Sequence, residues 1–250
     1  MSNRVLLGDC LELMKDIPDK SIDCIICDLP YSTTNCSWDV LIPFDKLWEQ
    51  YNRITKPNSP VVLFGQEPFS SALRLSNLSN YKYDWYWKKE RLTNIFQVKR
   101  RPGKIIETIS VFYREQCKYN PQKTIHVGPL RSNKVKNGKL GKLVDNNENK
   151  PTEYKDNGLR NPTELLEFKR DILTSNFHPT QKPLALLEYL VKTYTDEGDL
   201  ILDNTAGSGT TLLAAQNLNR QYIGIEKDPT YYQIILDRLS NTSNPSNATA

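Results

Sequence analysis

Along the chain, short apolar runs alternate with segments whose apolar positions recur every three or four residues. "RVLLGD", "SIDCIICD" and "PVVLFG" read as short buried strands, and "FDKLWEQYNRI" has helical apolar spacing. "YDWYW" and "TISVFY" alternate like further strands. The rhythm returns near the carboxyl end. There "PLALLEYLVKTY" reads as an amphipathic helix, "DLILDN" as a strand, "TTLLAAQNL" as a helix, "QYIGIE" as a strand and "PTYYQIILDRL" as a last helix. Such alternation predicts an α/β fold built on a parallel, doubly wound sheet.

A polar stretch, Glu115 to Ser175, separates the two blocks and has few apolar positions between Arg131 and Arg160. It is too poor in apolar residues for a large core of its own and too long for an ordinary connection, which points to a functional or disordered segment. The tail after Leu239, "SNTSNPSNATA", is small and polar and is expected to fray.

With 250 residues, 38% of them hydrophobic, the chain can bury a substantial core. Its first residues lack the basic and apolar pattern of a signal peptide, and no run approaches the ~18 apolar residues of a membrane span. A cytoplasmic protein without membrane association is therefore expected. Five cysteines in such a chain read as reduced thiols. Cys24 and Cys27 have a metal-like spacing, but on a strand residues three apart point to opposite faces, so no metal site is expected. The net charge of +4 is uneven: Lys88 to Lys104 holds seven basic residues and one acid, a patch suited to a polyanion.

Two strand ends carry candidate chemistry. In "DLILDNTAGSGTT", Asp203 closes a strand, and Gly207 and Gly209 allow a tight turn into the helix starting near Thr210. Glu226 closes the next strand, 19 residues beyond Gly207, where nucleotide-binding α/β proteins place an acid for ribose hydroxyls. Leu212 stands where a dinucleotide fingerprint needs its third glycine, and no G-K-[ST] follows to make a phosphate loop. A nucleoside without a pyrophosphate is what remains. At the other strand end, "CIICDLPY" stops an apolar run at Asp28 and lines up a carboxylate, a proline and an aromatic ring.

Together "DLPY", "HPTQKP" and "DNTAGSGTT", in that order, resemble the motifs of S-adenosylmethionine-dependent amino-methyltransferases of DNA, beta group. Leu29 departs from the proline usual in that family at the second clamp position, where the backbone carbonyl acts. The resemblance implies a Rossmann-like, circularly permuted class I methyltransferase fold. Its catalytic half would be residues 1–114 and its cofactor-binding half 176–239, with an inserted target-recognition segment at 115–175 and a tail at 240–250. It further implies that Asp28 and the Leu29 carbonyl each accept one hydrogen of a nucleobase amine, localising its lone pair, while Tyr31 stacks on the base and Pro30 fixes the turn.

For the cofactor, the resemblance assigns Asp9 and Cys10 to the adenine ring and Glu226 to the ribose. His178, Thr180 and Lys182, with the loop of Asp203, Asn204, Ala206, Gly207, Gly209, Thr210 and Thr211, would surround the methionine moiety. Asp9 also suits a helix N-cap before "LELM", and His178 and Lys182 also suit a turn before the Pro183 helix. Tyr83, Trp85 and Trp87 lie at strand spacing, the pattern of core packing. Lys88, Lys99, Arg100 and Arg101 are the candidate DNA-binding residues, contacting phosphates of double-stranded DNA whose target base flips out of the helix. The resemblance also admits a homodimer and a cognate restriction nuclease as partners. An acid opening the clamp is commoner in the family's adenine enzymes, and adenine is the expected target. A cytosine amino-methyltransferase and a catalytically weak DNA-binding protein of the same fold stand as alternatives.

Overall fold

The computed structural model describes residues 3–32, 40–128, 130, 132–133, 154–171 and 181–242. His178, Thr180 and the tail from residue 243 lie outside the described residues. The chain forms two compact units, residues 1–120 with 163–250, and residues 121–162.

The larger unit begins with β1 (Arg4–Leu7), α1 (Cys10–Leu13), β2 (Cys24–Cys27), α2 (Phe44–Ile54), β3 (Val61–Gly65), α3 (Phe69–Ser76), β4 (Tyr81–Lys88) and β5 (Ile106–Phe112). The smaller unit holds β6 (Thr124–Ile125), β7 (Ser132–Asn133), β8 (Tyr154–Lys155) and β9 (Leu159–Arg160). In it β6 pairs antiparallel with β9, and β7 with β8. The larger unit then resumes with β10 (Leu165–Glu167), α4 (Leu184–Tyr194), β11 (Leu200–Asp203), α5 (Thr210–Asn217), β12 (Gln221–Glu226) and α6 (Pro229–Thr242).

Eight strands form one sheet in the order β1-β12-β11-β2-β3-β5-β4-β10. From β1 to β3 every pairing is parallel, while β5 runs antiparallel to both β3 and β4. The strand β11, which leads into the glycine turn, and the catalytic candidate β2 are neighbours, and the first strand of the chain sits beside β12, as expected of a permuted methyltransferase sheet. Sequence periodicity does not report direction, so the antiparallel β5 appears only in the structure.

Strand alternation divides the core into two layers. Cys24 and Ile26 face the layer containing Leu186, Leu190 and Leu212, whereas Ile25 and Cys27 face the layer containing Leu47, Tyr51 and Leu73. Helices therefore cover both faces, with α4, α5 and α6 on one and α1, α2 and α3 on the other. On α2 the buried positions Leu47, Trp48, Tyr51 and Ile54 make the stripe that its spacing predicts. Trp85 and Trp87 are buried, matching the core reading of the aromatic strand, and Cys24 and Cys27 are free thiols on opposite faces. On β12, a Cβ at Gly224 would stand 2.2 Å from Leu212, so glycine lets α5 seat on the sheet.

Two boundaries differ from expectation. Part of the 115–175 segment belongs to the larger unit: Cys117 is buried in its core, Lys118 pairs with Asp196 and Asp199, and β10 extends the main sheet. Apolar contacts too few to register as a periodic run decide this, notably the buried Leu166. At the other end α6 continues through Thr242, into the stretch expected to fray.

Candidate active site

Helices leave β2 and β11 toward opposite faces of the sheet. Divergence of this kind opens a crevice at the carboxyl ends of the strands, the usual ligand site of open α/β sheets. A cavity of about 870 Å³ lies there, lined by the ends of β1, β2, β11 and β12. Asp9, Asp28, Asp203 and Glu226, each at or just past one of these ends, share it.

Thr205 ties two of the loops together. Its hydroxyl donates to the backbone carbonyl of Asp28 at 3.0 Å and lies 2.8 Å from the Cys27 thiol. The turn into α5 depends on Gly209, at φ +76° in the left-handed region, where a Cβ would stand 2.9 Å from Ile235. Glu226 fastens the same turn from the next strand. Its carboxylate accepts the Gly207 N–H at 2.7 Å and the Asp228 N–H at 2.8 Å.

Asp203 is buried, and its carboxyl is pushed up to about 6 by loss of hydration, against the pull of the Thr211 hydroxyl and the Thr205 N–H. Among the described residues no cation pairs with it. Next to it, the Asn204 carbonyl oxygen accepts the Tyr51 hydroxyl at 2.5 Å, while its amide nitrogen is buried without a hydrogen-bond partner. A buried acid lacking a cation and an orphaned amide donor are open valences for a polar ligand carrying both an ammonium group and a hydrogen-bond acceptor. Cys10 and Ala206 are buried beside this floor, and Thr210 and Thr211 are buried at the start of α5. Asp9 caps α1 by accepting the Leu11 N–H at 3.0 Å and also approaches Lys227 at 3.3 Å, so the cap reading and a place on the cavity wall hold together.

The clamp residues form a charged cluster. Lys182 Nζ stands 2.6 Å from one Asp28 oxygen and 2.8 Å from Glu107, and Lys89 Nζ stands 2.6 Å from the other Glu107 oxygen. Tyr31 donates its hydroxyl to the second Asp28 oxygen at 2.5 Å, with its ring against Phe69, centroids 4.8 Å apart. Burial raises the Asp28 carboxyl, Lys182 pulls it back, and the Glu107 charge adds to the rise. Glu107 is held below its ordinary range, because Lys182 and Lys89 outweigh the effect of its burial. Leu29 is buried, with its side chain in the core, and Pro30 lines the cavity beside it.

Lys182, expected at a methionine moiety, thus has its ammonium committed to Asp28 and Glu107. Sequence reasoning missed Glu107 and Lys89 altogether. The available signal was an acid inside the apolar strand "IETISVF", since such a carboxylate needs partners when buried. Of the candidate DNA contacts, Lys88 pairs with Glu167 at 2.9 Å, while Lys99, Arg100 and Arg101 are exposed and no described carboxylate pairs with them. No group of metal-ligating residues occurs among the described residues.

A doubly wound sheet with a glycine turn, an acid on the next strand and Asp28 beside them defines an α/β protein of the nucleoside-binding type. The family described as DNA methylase, the N6/N4 methyltransferases, matches residues 22–237, and the chain belongs to it. The DNA adenine methyltransferase YhdJ of Escherichia coli (strain K12) is 29% identical over 258 residues, spanning 97% of this chain and 84% of that one. The type II methyltransferase M.HpaI of Haemophilus parainfluenzae is 26% identical over 257 residues, spanning 98% and 76%. Among solved structures, the M1.HpyAVI–SAM complex superposes with a TM-score of 0.61 at 27% identity, covering 94% of this chain and 98% of that one. The cytosine-N4-specific PvuII DNA methyltransferase shares the fold, with a TM-score of 0.70 at 18% identity, covering 100% and 89%.

Proposed function

We propose that this DNA methyltransferase transfers a methyl group from S-adenosylmethionine to the exocyclic amino group of adenine in duplex DNA, acting in the cytoplasm on a flipped base. One observation carries the reading: Asp28 opens onto the same cavity as the glycine turn and Glu226. When bound, S-adenosylmethionine supplies an electrophilic methyl carbon on a sulfonium. Asp203 and Asn204 would hold its methionine end, where they leave a carboxyl without a cation and an amide without a partner, and Glu226 its ribose, through lone pairs that the Gly207 and Asp228 N–H groups leave free.

On the base side, Asp28 accepts one amino hydrogen and the Leu29 carbonyl the other. Both acceptors draw the nitrogen toward a tetrahedral geometry and turn its lone pair to the methyl carbon. Aligned acceptors of this kind are worth ~3 to 4 kcal/mol of barrier. Tyr31 keeps its hydroxyl on Asp28, which fixes the carboxylate plane, and offers its ring to the base. The methyl group would come from the bound cofactor, and Asp28, already accepting one amino hydrogen, would take the proton that the nitrogen loses. The smaller unit, 121–162, carries the choice of DNA sequence in this reading, since the clamp sees a single base.

Adenine is favoured over cytosine by the acid at position 28, which the resemblance associates with adenine enzymes, and by the similarity to a relative named an adenine methyltransferase. Mass spectrometry of nucleosides from duplex DNA incubated with the protein and S-adenosylmethionine tests the reading, with N6-methyladenine expected. Methylcytosine alone would move the target to the other ring, and no methylated nucleoside would favour a DNA-binding protein without activity.

A further inference from the structure

The hairpin of β4 and β5 continues past the sheet as a structured finger. Lys89 donates its N–H to Ile105 at 2.8 Å and Thr93 to Lys104 at 3.0 Å. Asn94 closes the finger, donating to Pro102 at 3.1 Å and accepting the Lys104 N–H at 2.6 Å. The tip is the short turn Ile95–Gln97, whose last carbonyl accepts the N–H groups of Arg100 and Arg101 at 2.9 and 3.0 Å.

The base of this finger belongs to the catalytic cavity, where Trp87, Lys89, Thr93 and Glu107 form part of the wall. At its tip Phe96 is fully exposed, at 102% of its reference area, and Ile95 and Val98 beside it are also exposed. Phe96 lies three positions beyond the wall residue Thr93, at most ~11 Å of chain. An aromatic ring held in water beside Lys99, Arg100 and Arg101 matches a partner whose outside is anionic and whose inside is apolar. A DNA duplex has that arrangement, with phosphates outside and stacked bases within. A second copy of the chain would bring the same unpaired cations together, and like charges repel.

We propose that Phe96 is a wedge that enters the base stack and occupies the place vacated when the target nucleotide turns into the cavity. The inference rests on the reading that the chain methylates a base in duplex DNA. Lys99, Arg100 and Arg101 hold the phosphates alongside, and the ring replaces the stacking that the neighbouring bases lose. The finger thus couples the clamp at its base to the opening of the helix at its tip.

The test uses the full chain and a duplex carrying the sequence that the wild-type protein methylates, located by sequencing of modified positions. On the paired duplex Phe96→Ala should lower kcat/KM by roughly tenfold or more, the size expected when unstacking is no longer offset. With an abasic site opposite the target, which removes pairing, the variant should recover to within about threefold of wild type. Phe96→Trp should retain activity on both duplexes. With 2-aminopurine at the target position, wild type should raise the fluorescence and Phe96→Ala should raise it less. Equal activity of Phe96→Ala and wild type on the paired duplex would overturn the wedge while leaving the methyltransferase reading intact. An equal loss on both duplexes would also overturn it, as would a change of oligomeric state on substitution, which would assign the ring to a contact between copies. If the wild-type protein methylated no duplex, the functional reading and the wedge would fall together.

Discussion

The Lys182 ammonium stands 2.6 Å from an Asp28 oxygen, so the acid that opens the clamp already holds a cation before any base arrives. The same ammonium is 2.8 Å from Glu107, which Lys89 holds in turn. Two acids and two lysines make a neutral set, three of whose members are nearly sealed from water and whose fourth, Asp28, keeps 24% of its side chain exposed toward the cavity. An amine entering the clamp meets a carboxyl group whose oxygens are already fixed in place by Lys182 and Tyr31.

Lys182 works against the effect of burial on Asp28. The Asp28 carboxyl is raised by burial and by Glu107, and Lys182 opposes that rise. In the proposed mechanism activity needs the ionised form, present above the pKa and lost as pH falls through it. Lys182→Met removes the opposition, so the acid limb of kcat should move to higher pH, and each unit of movement costs about tenfold in rate on that limb. Lys182→Arg, which keeps the charge, should restore most of the limb. Rate profiles over pH, with melting temperatures to confirm folding, check this; an unmoved acid limb in Lys182→Met would assign the limb to another group.

Asp28→Ala separates chemistry from cofactor binding. The substitution removes an acceptor for the amino hydrogen, and loss of a comparable contact lowers kcat by ~100- to 1000-fold. The carboxylate makes no contact with the Gly207 to Gly209 turn, so cofactor affinity should change little. Calorimetric titration with S-adenosylmethionine, alongside single-turnover methylation, reads the two effects apart. A large loss of cofactor affinity would place Asp28 in the wrong half of the site.

Much of this site was legible in the sequence because its parts are local. Asp28 follows an apolar run, Gly207 and Gly209 mark a turn, and Glu226 falls at the ribose spacing. Each lies within one strand and its loop. Glu107 and Lys89 were not legible, because their meaning is set by pairing across the fold. Register places Glu107 opposite Trp87 on β4, and only the antiparallel course of β5 between β3 and β4 brings that pair to the clamp. Phe96 reads in sequence as one more apolar residue. Its exposure is what distinguishes it. The helix α3 was missed for a related reason: its buried Phe69, Ser70 and Leu73 include a polar residue, which blurs the apolar stripe.

Glu226→Ala should loosen the glycine turn and weaken cofactor binding together. The carboxylate accepts two backbone N–H groups, from Gly207 and Asp228, and such charge-assisted bonds are worth ~1.5 to 3 kcal/mol each. Affinity for S-adenosylmethionine should fall by about tenfold or more, since ~1.4 kcal/mol is a factor of ten. Calorimetry measures it, and hydrogen exchange at Gly207 reports the turn. Unchanged affinity with faster exchange would confine Glu226 to holding the loop.

Gly209→Ala tests the turn from its other side. Glycine at φ +76° accepts a backbone form that strains any other residue, and the added methyl would press on Ile235 at 2.9 Å. Left-handed strain costs on the order of 1 to 3 kcal/mol. A drop in unfolding free energy of that size, measured in urea, is expected; full stability would mean that α6 yields to the methyl.

Asp203 makes stability and cofactor binding depend on pH in opposite senses. Its carboxyl sits at about 6 in the folded protein, above the ordinary aspartate value, because it is buried without a cation. A group raised in the folded state contributes stability fully present below its unfolded pKa and lost as pH rises through the folded value. The cofactor-free protein should therefore lose stability on this account between about pH 4 and pH 6, by ~1 to 3 kcal/mol at most. An ammonium placed beside Asp203 favours the ionised form, so binding of S-adenosylmethionine should tighten over the same range and release a proton. Asp203→Asn removes the titration: its melting temperature should exceed that of wild type at pH 8 and approach it at pH 4, while cofactor affinity at pH 8 falls. Melting curves at both pH values, with calorimetry near pH 5 in buffers of different ionisation enthalpy to count released protons, decide the matter. A variant that binds the cofactor as tightly as wild type at pH 8, and releases as many protons as wild type near pH 5, would show that the ammonium lies elsewhere in the cavity.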